Sequence, residues 1–139
     1  MIILDTNVIS EPMKPDGDPK VLAWLDDQAA ETLYLTSVNL AELLAGLEIL
    51  PDGKRKAGLH QKLLDLLSRL FEGRVLPFDE QAAREFAPLI AKARSTGRVI
   101  SMADGQIAAI AKTRGFTVAT RDMAPFEAAG VPIINPWEI

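Results

Sequence analysis

The sequence predicts an α/β fold in which a mostly parallel β-sheet of about five strands is flanked by helices on both faces. Three observations support this prediction. Short β-prone runs alternate along the chain with longer helical patterns. The length of 139 residues suits one domain, here residues 1–139. The residues are 48% hydrophobic and 24% charged, which provides a core and argues against disorder.

The predicted strands are short, rich in Ile, Val, Leu and aromatic residues, and bounded by polar or turn residues. They are Ile2–Leu4, Leu33–Thr36, Val75–Phe78, Phe116–Ala119 and Pro132–Ile134. The predicted helices show apolar residues at helical spacing, and several end near a glycine that suits a C-cap. They are Pro19–Ala30, Ser37–Leu50, Lys54–Phe71, Asp79–Thr96 and Ser101–Arg114. Breaks rich in Pro and Gly at residues 11–19 and 51–53 are predicted to be loops within one domain.

The predicted helix Ser37–Leu50 is apolar around most of its circumference. Its apolar residues include Val38, Leu40, Leu43, Leu44, Leu47, Ile49 and Leu50. Little of such a helix can face water, so it is either central to the fold or partly covered by a second subunit. We expect a homodimer.

The composition excludes several classes of protein. The chain has no Cys, so a disulfide framework is impossible and a reducing cytoplasm is the expected setting. No basic flank precedes the short apolar run that ends at Asp5, and no run approaches about 18 apolar residues. We therefore expect neither a secretory signal nor a membrane span.

The charge is unevenly distributed along the chain. The net charge is −4, divided into −7 for residues 1–50 and +3 for residues 51–139. The densest basic cluster is Lys54-Arg55-Lys56 with His60 and Lys62, which we interpret as a solvated helix face rather than a ligand surface. The net acidity argues against avid nonspecific binding to duplexes. It does not exclude an enzyme that meets nucleic acid through bound cations.

Four acidic residues are the candidates for chemistry. Ligand sites in open α/β sheets form beyond the carboxyl ends of the strands, at the switch point in strand order. Asp5 and Asp122 follow predicted strands, so the sheet alone places them on this edge. Glu42 lies on the helix after the second strand, and Asp104 lies in the first turn of the helix before the fourth. These two reach the edge only if their helices begin over it.

Each of the three aspartates also has a structural interpretation. Asp5 follows a strand where the chain turns, so it could cap a helix. Asp122 could cap a short helix that begins near Ala124. Asp104 stands three residues after Ser101 in a capping-box pattern.

Glu42 has a different local setting. Its helical neighbours Val38, Ala45 and Ile49 are apolar, and Glu is almost never fully buried without a partner. This setting favours a functional role for Glu42. Ser37, at the start of the same helix, is interpreted as its N-cap.

The four acids considered together favour a metal site. Carboxylates gathered at one edge repel one another and raise each other's pKa values unless a cation lies between them. With no Cys and one His, a typical zinc site is excluded. Oxygen ligands suit Mg²⁺ or Mn²⁺, and such ions also coordinate phosphate oxygens. That chemistry predicts phosphoryl transfer or phosphodiester hydrolysis.

Four motifs occur in order at domain-consistent spacing. They are Ile3-Leu4-Asp5-Thr6-Asn7-Val8, Ala41-Glu42-Leu43, Ala103-Asp104-Gly105-Gln106-Ile107-Ala108-Ala109 and Ala119-Thr120-Arg121-Asp122. Together they resemble the PIN-domain family, most closely the VapC-type toxins of its FitB-like branch. The closing Pro132-Ile133-Ile134-Asn135-Pro136-Trp137-Glu138 is also similar to that branch. The resemblance covers essentially the whole chain.

The resemblance implies a PIN-like fold and a metal-dependent endoribonuclease toxin that is inhibited by a cognate antitoxin of VapB-like or ribbon-helix-helix type. It implies Mg²⁺, or Mn²⁺, as the cofactor. The family's catalytic and metal-binding acids match Asp5, Glu42, Asp104 and Asp122. Thr6 and Thr120 match hydroxyl positions that support the acids or position the RNA substrate, with a local turn contact as the alternative for both.

Other functions stay open at this point. Because FitB-like proteins resemble DNA-associated complexes, the main alternative is a noncatalytic regulatory subunit that meets DNA only through its antitoxin. A haloacid-dehalogenase-type phosphatase also begins with a strand ending in Asp, but it needs a second Asp where this chain has Asn7. A receiver-like module needs a Lys after a late strand, which Thr120-Arg121 does not provide.

Overall fold

The computed structural model describes residues 1–139 and contains a five-stranded sheet in which every strand pair is parallel. The strand order is β3-β2-β1-β4-β5, so the order changes direction between β1 and β4. The predicted α/β class is confirmed. The strands are β1 (Ile2–Leu4), β2 (Leu33–Thr36), β3 (Val75–Leu76), β4 (Thr117–Ala119) and β5 (Ile133–Ile134).

Seven helices surround the sheet. They are α1 (Thr6–Ser10), α2 (Pro19–Asp26), α3 (Ser37–Glu48), α4 (Lys54–Leu66), α5 (Glu80–Ser95), α6 (Met102–Arg114) and α7 (Ala124–Ala129). Short 3₁₀ turns occupy Glu11–Met13 and Ala30–Thr32, and α4 continues into a π-helical turn at Leu67–Phe71. Helix α1 was not predicted, and α2 ends at Asp26, four residues before the predicted end at Ala30. None of the helices combines the length and hydrophobicity needed to cross a bilayer.

The sheet separates two apolar cores. Successive residues of a strand face opposite sides, so Ile3 and Val118 pack in one core while Leu4 and Ala119 pack in the other. The first core is completed by residues of α5, α6 and α7, and the second by residues of α1 to α4. Because both faces are covered, polar groups carried by the strands reach solvent only beyond the strand ends.

Helix α3 is less buried than its composition predicts. Leu43 and Leu47 point into the core, but Leu44 is 41% exposed and Ile49, at the end of α3, is 84% exposed. The helix is therefore not central to the fold on all sides. Within a single chain, part of its apolar surface has no covering element.

Helix α6 begins at the end of the sheet where the strands finish. It ends at Gly115, whose φ of +68° suits glycine, and the chain then turns directly into the start of β4. Since α6 packs along the sheet, its first turn lies near the carboxyl end of β4. Gly105 permits close packing on α5, since a Cβ there would lie 2.8 Å from Phe86 Cε2.

A buried glutamate fixes the loop that follows α1. Glu11 is 5% exposed. Its Oε1 accepts a hydrogen bond from the Asp18 backbone N–H at 2.9 Å, and its Oε2 lies 3.1 Å from Lys14 Nζ. The Asp18 N–H lowers the pKa of Glu11 most, and Lys14 lowers it further, against the opposing effect of burial.

We expect Glu11→Ala to lower the free energy of unfolding by about 2 kcal/mol at pH 7, because it removes hydrogen bonds to a buried charge. The folded pKa lies below the unfolded value of about 4.3. The stabilisation is therefore present above that pH and is lost as the pH falls through the folded pKa. Urea unfolding between pH 7 and pH 3 measures both effects.

The matched control for this prediction is Glu85→Gln, at an exposed glutamate on α5. Glu11→Gln should reduce the loss of stability on acidification, whereas Glu85→Gln should leave it unchanged. Equal pH dependence in the wild type and Glu11→Gln would refute the role assigned to the Glu11 charge.

Candidate metal-binding active site

The ends of β1 and β4 meet at the switch point of the sheet. The two strands are neighbours, and the Asp5 N–H donates to the Ala119 carbonyl oxygen at 2.9 Å. Asp5 follows β1, and Thr120 and Asp122 follow β4. This is the position at which open parallel sheets form ligand sites.

The Asp5 carboxylate is buried and held by three donors. It is 5% exposed. Its Oδ1 accepts from the Thr6 N–H at 2.8 Å and from Asn39 Nδ2 at 3.2 Å, and its Oδ2 accepts from the Thr120 hydroxyl at 2.8 Å. A carboxylate has about four acceptor positions. Its orientation is thus fixed while some acceptor capacity is left.

The acids act on one another electrostatically. Burial raises the pKa of Asp5, and the negative charges of Asp104 and Glu42 raise it further. Burial also raises the pKa of Asp104, and the charge of Asp122 adds to this effect. Each of the four predicted acids therefore lies within electrostatic range of at least one other.

Glu42 reaches this group from the outer surface of α3. Its side chain is exposed, as are its apolar neighbours Ala45 and Ile49. Periodicity marks an apolar helix face but does not show that the face is covered. The contact that ties Glu42 to the site is a hydrogen bond from the Thr6 hydroxyl to its Oε1, at 3.0 Å.

The structural roles considered for the aspartates are only partly realised. Asp5 does cap α1, through the Thr6 N–H. Ser101 caps α6 by accepting from the Asp104 backbone N–H at 3.1 Å, so this cap does not depend on the Asp104 carboxylate. Helix α7 has Met123 at its N-cap without a side-chain hydrogen bond, so Asp122 does not cap it.

Asp104 and Asp122 line a common cleft. The cleft has a volume of about 690 Å³, within the range of small-molecule sites. Arg98 is the one basic residue among the residues that line it, and Glu127 is a third acidic residue there. The cleft therefore combines three carboxylates with a single positive charge.

The two predicted threonines each connect a pair of acids. The Thr6 hydroxyl donates to Glu42 and lies next to Asp5. The Thr120 hydroxyl donates to Asp5 and accepts from the Asp122 N–H at 3.0 Å. Thr120 therefore makes both contacts considered for it, a local turn contact with the Asp122 N–H and a supporting hydrogen bond to Asp5.

Asn39, which was not among the predicted site residues, is fully buried beside Asp5. Asn39 Nδ2 donates to Asp5 Oδ1 and to the Thr6 hydroxyl, each at 3.2 Å. It forms a capping box with Thr36, so Thr36 rather than Ser37 is the N-cap of α3. The Thr-x-x-Asn spacing that begins at the last residue of β2 was the signal available in the sequence.

Asn7 also supports the site. Its Nδ2 donates to the Thr120 hydroxyl at 3.4 Å, and its Oδ1 accepts from the Arg121 N–H at 3.2 Å. These bonds join α1 to the segment after β4. His60, in contrast, is exposed on α4.

The donor chemistry fits a hard divalent cation. All four candidate ligands are carboxylates, and a cation between them would relieve the effects that raise the pKa values of Asp5 and Asp104. As the side chains stand, no group of three or more His, Cys, Asp or Glu is close enough to hold a metal ion. Glu42 and Asp122 are exposed, so their side chains have room to swing toward the fixed Asp5.

Comparison with known proteins identifies the family. Residues 2–131 match the PIN domain family. The chain is 54% identical to VapC ribonuclease Y4jK of Sinorhizobium fredii over 138 residues and 48% identical to toxin FitB of Neisseria gonorrhoeae over 137 residues, with 99% of each chain covered. A solved structure of FitAB bound to a DNA fragment superimposes with a TM-score of 0.94 at 46% identity, covering 100% of this chain and 97% of that one.

These matches extend over nearly the full length of the chain and include the segments that carry the four acids. VapC proteins of this family are ribonucleases, and nucleases with this domain generally use a divalent metal. The chain therefore belongs to the PIN domain family and is a homologue of the VapC and FitB toxins.

Proposed function

We propose that this protein is the toxin of a toxin–antitoxin pair and acts as an endoribonuclease that hydrolyses RNA phosphodiester bonds with Mg²⁺, or with Mn²⁺ in its place. One observation supports this most strongly. The buried Asp5 carboxylate stands at the switch point, where burial raises its pKa and the charges of Asp104 and Glu42 add to the effect. A buried carboxylate beside two other acids is unfavourable for the fold unless a cation binds there.

The four acids have distinct parts in this proposal. Asp5 and Asp104 hold the cation, and Asp122 and Glu42 complete its ligands or hold a second ion. When bound, a divalent ion lowers the pKa of a coordinated water and neutralises charge on the scissile phosphate. Asn39 and the Thr120 hydroxyl keep the Asp5 oxygens in position, which preorganises the site before metal and RNA arrive.

The cleft between Asp104 and Asp122 is the proposed place of the scissile phosphate. Its volume of about 690 Å³ admits a nucleotide-sized group. Arg98, which lines it, offers a positive charge to a phosphate oxygen. Hydrolysis here needs no Ser, Cys or His nucleophile, in keeping with the exposed position of His60 on a separate helix.

We further propose a cognate antitoxin, of VapB-like or ribbon-helix-helix type, as the partner that inhibits the enzyme. The FitB relative is known in a FitAB complex on DNA. A chain with a net charge of −4 is poorly suited to bind DNA by itself, so DNA contact is assigned to the antitoxin. The noncatalytic regulatory role remains the second candidate, and the DNA-bound FitAB structure is the observation that favours it.

The predicted effect of Asp104→Asn on antitoxin-free protein is a loss of Mg²⁺-dependent RNA cleavage of more than about 100-fold. The fold should be retained, because Ser101 caps α6 through the Asp104 backbone rather than the side chain. The raised pKa of Asp104 shows that its charged form is unfavourable in the folded state. Because Asn carries no charge, the variant should unfold at an equal or higher temperature than the wild type.

Asp26→Asn, at an exposed aspartate on α2, is the matched control and should cleave RNA at the wild-type rate. Cleavage of a labelled RNA with Mg²⁺ and with a chelator gives the readout. Full activity in Asp104→Asn would rule out the metal-ligand assignment. Absence of cleavage by the antitoxin-free wild type would favour the regulatory candidate.

Thr120→Val should weaken metal binding about 10- to 100-fold, because it removes the hydroxyl that orients Asp5 Oδ2. Loss of that hydrogen bond should also raise the pKa of Asp5 further. The thermal shift produced by Mg²⁺ measures this independently of cleavage. Thr120→Ser should restore the shift, and Thr113→Val, whose hydroxyl bonds only the Ile110 carbonyl, should not change it. A full shift in Thr120→Val would contradict the positioning role.

We also propose the homodimer, through the exposed apolar residues Leu44 and Ile49 of the α3 region. Burying this surface in a second copy removes apolar area from water. Ile49→Lys should convert the dimer to a monomer in sedimentation experiments at micromolar concentration, whereas Glu48→Lys should not. A wild type that sediments as a monomer at every concentration would end this proposal.

A further inference from the structure

A second charged region lies beside the acidic site. A groove of about 490 Å³ separates α4 from the end of α1 and the loop after it. Lys14, Lys54, Arg55 and Lys62 line this groove, and no Asp or Glu does. Below we call it the α4 groove. Lys14 is paired with the buried Glu11 carboxylate at 3.1 Å, but Lys54, Arg55 and Lys62 form no salt bridge. In a chain with a net charge of −4, these three unpaired cations form a distinct local reversal of charge.

The arrangement of α4 explains why the groove is open and positive. Lys54, Gly58 and Lys62 are spaced by four residues and share one face of the helix. A Cβ at Gly58 would meet no atom within 4 Å. Lys56 does not line the groove, since its Nζ bonds the Glu48 carbonyl at 3.0 Å and Asp52 at 3.2 Å. The basic run therefore divides into groove-lining residues and one paired lysine.

Helix α1 connects the α4 groove to the acidic site. Asp5 caps its first turn, and Ser10, at its last residue, lines the groove. The Ser10 hydroxyl donates to the Thr6 carbonyl at 2.7 Å, and the Thr6 hydroxyl donates to Glu42. Five helical residues span roughly 7 Å. A stacked nucleic-acid strand carries one phosphate charge per roughly 3.4 Å. The length of α1 therefore corresponds to about two phosphates along such a strand.

We propose that the α4 groove binds the backbone of the RNA substrate, holding phosphates about two nucleotides or more from the bond that is cut. This inference rests on the proposed function. A cluster of carboxylates repels a polyanion, so the strand needs a positive anchor outside the cluster. The groove provides that anchor on the same short helix that carries the cap residue Asp5. Phosphate contacts of this kind position a strand without reading its sequence.

The experiment measures binding of a fluorescent single-stranded RNA by anisotropy, in Mg²⁺, with Asp104→Asn protein so that the strand stays intact. Arg55→Gln/Lys62→Gln should raise Kd about tenfold at low salt and reduce the salt slope by roughly 1 to 1.5, for two lost phosphate contacts. The matched control Lys112→Gln/Arg114→Gln removes the same two residue types from the last turn of α6. It should leave Kd and the slope unchanged.

A charge insertion tests the groove without removing any cation. Gly58→Glu places a carboxylate in open space and replaces a helix-destabilising glycine, so the variant should fold. It should raise Kd for the RNA at least as much as the double substitution, whereas Gly58→Gln, with the same shape and no charge, should have little effect. Equal Kd values for the Glu and Gln variants would overturn the inference.

Cleavage by otherwise wild-type protein separates the two proposals. The groove variants should raise KM for a long RNA and leave kcat unchanged, because the acids are untouched. If the groove variants cleave RNA with unaltered KM and Kd, the proposal that the α4 groove binds RNA is wrong and the proposed nuclease activity stands. If RNA binding depends on the groove but no cleavage occurs, the groove proposal is supported and the proposed nuclease activity is wrong. If the variants lose affinity for an acidic polyglutamate peptide but not for RNA, the groove serves an acidic protein segment and the inference is overturned.

Discussion

The unfavourable burial of the Asp5 charge is the constraint on which the rest of the site depends. The carboxylate lies among groups that raise its pKa, and three donors, the Thr6 N–H, Asn39 and Thr120, hold it in a single orientation. Removing these donors would leave a buried charge uncompensated. The Thr36–Asn39 capping box fixes Asn39 in turn. Residues at the start of α3 therefore support the acid that follows β1.

The parallel topology explains how acids from distant segments meet. Strands that all run in one direction finish at one end of the sheet, and the helices that follow or precede them begin there. Asp5 and Asp122 follow strand ends, Asp104 lies on the first turn of α6, and Glu42 lies one turn further along α3. Repulsion among them is tolerated because the two apolar cores hold these elements independently of the site.

The sequence predicts the strands and the acids at the strand ends better than it predicts the residues that hold those acids in place. Alternating strand and helix patterns locate all five strands, and the switch-point rule places Asp5 and Asp122 without any knowledge of the family. Helix α1 was not predicted because five residues are too few to show a helical period. Asn39 was not predicted because its role comes from contacts with Asp5 and Thr6, more than 30 residues away along the chain. The exposure of Glu42 and Ile49 could not be predicted from the sequence. An apolar helix face has the same sequence pattern whether it is covered by its own chain or by another one.

The closeness of the acidic site and the α4 groove links metal and RNA in the proposed enzyme. The span of α1, roughly 7 Å, is no longer than the Debye length of about 8 Å at physiological ionic strength. Neither region is therefore fully screened from the other. Without a cation, a phosphate attracted by Arg55 and Lys62 still feels the carboxylates of Asp5 and Glu42. A divalent ion bound by the acids would reduce that repulsion and leave the attraction of the groove to act on the strand. If the proposed metal and RNA both bind, each would then strengthen the binding of the other, since linkage between two ligands is reciprocal.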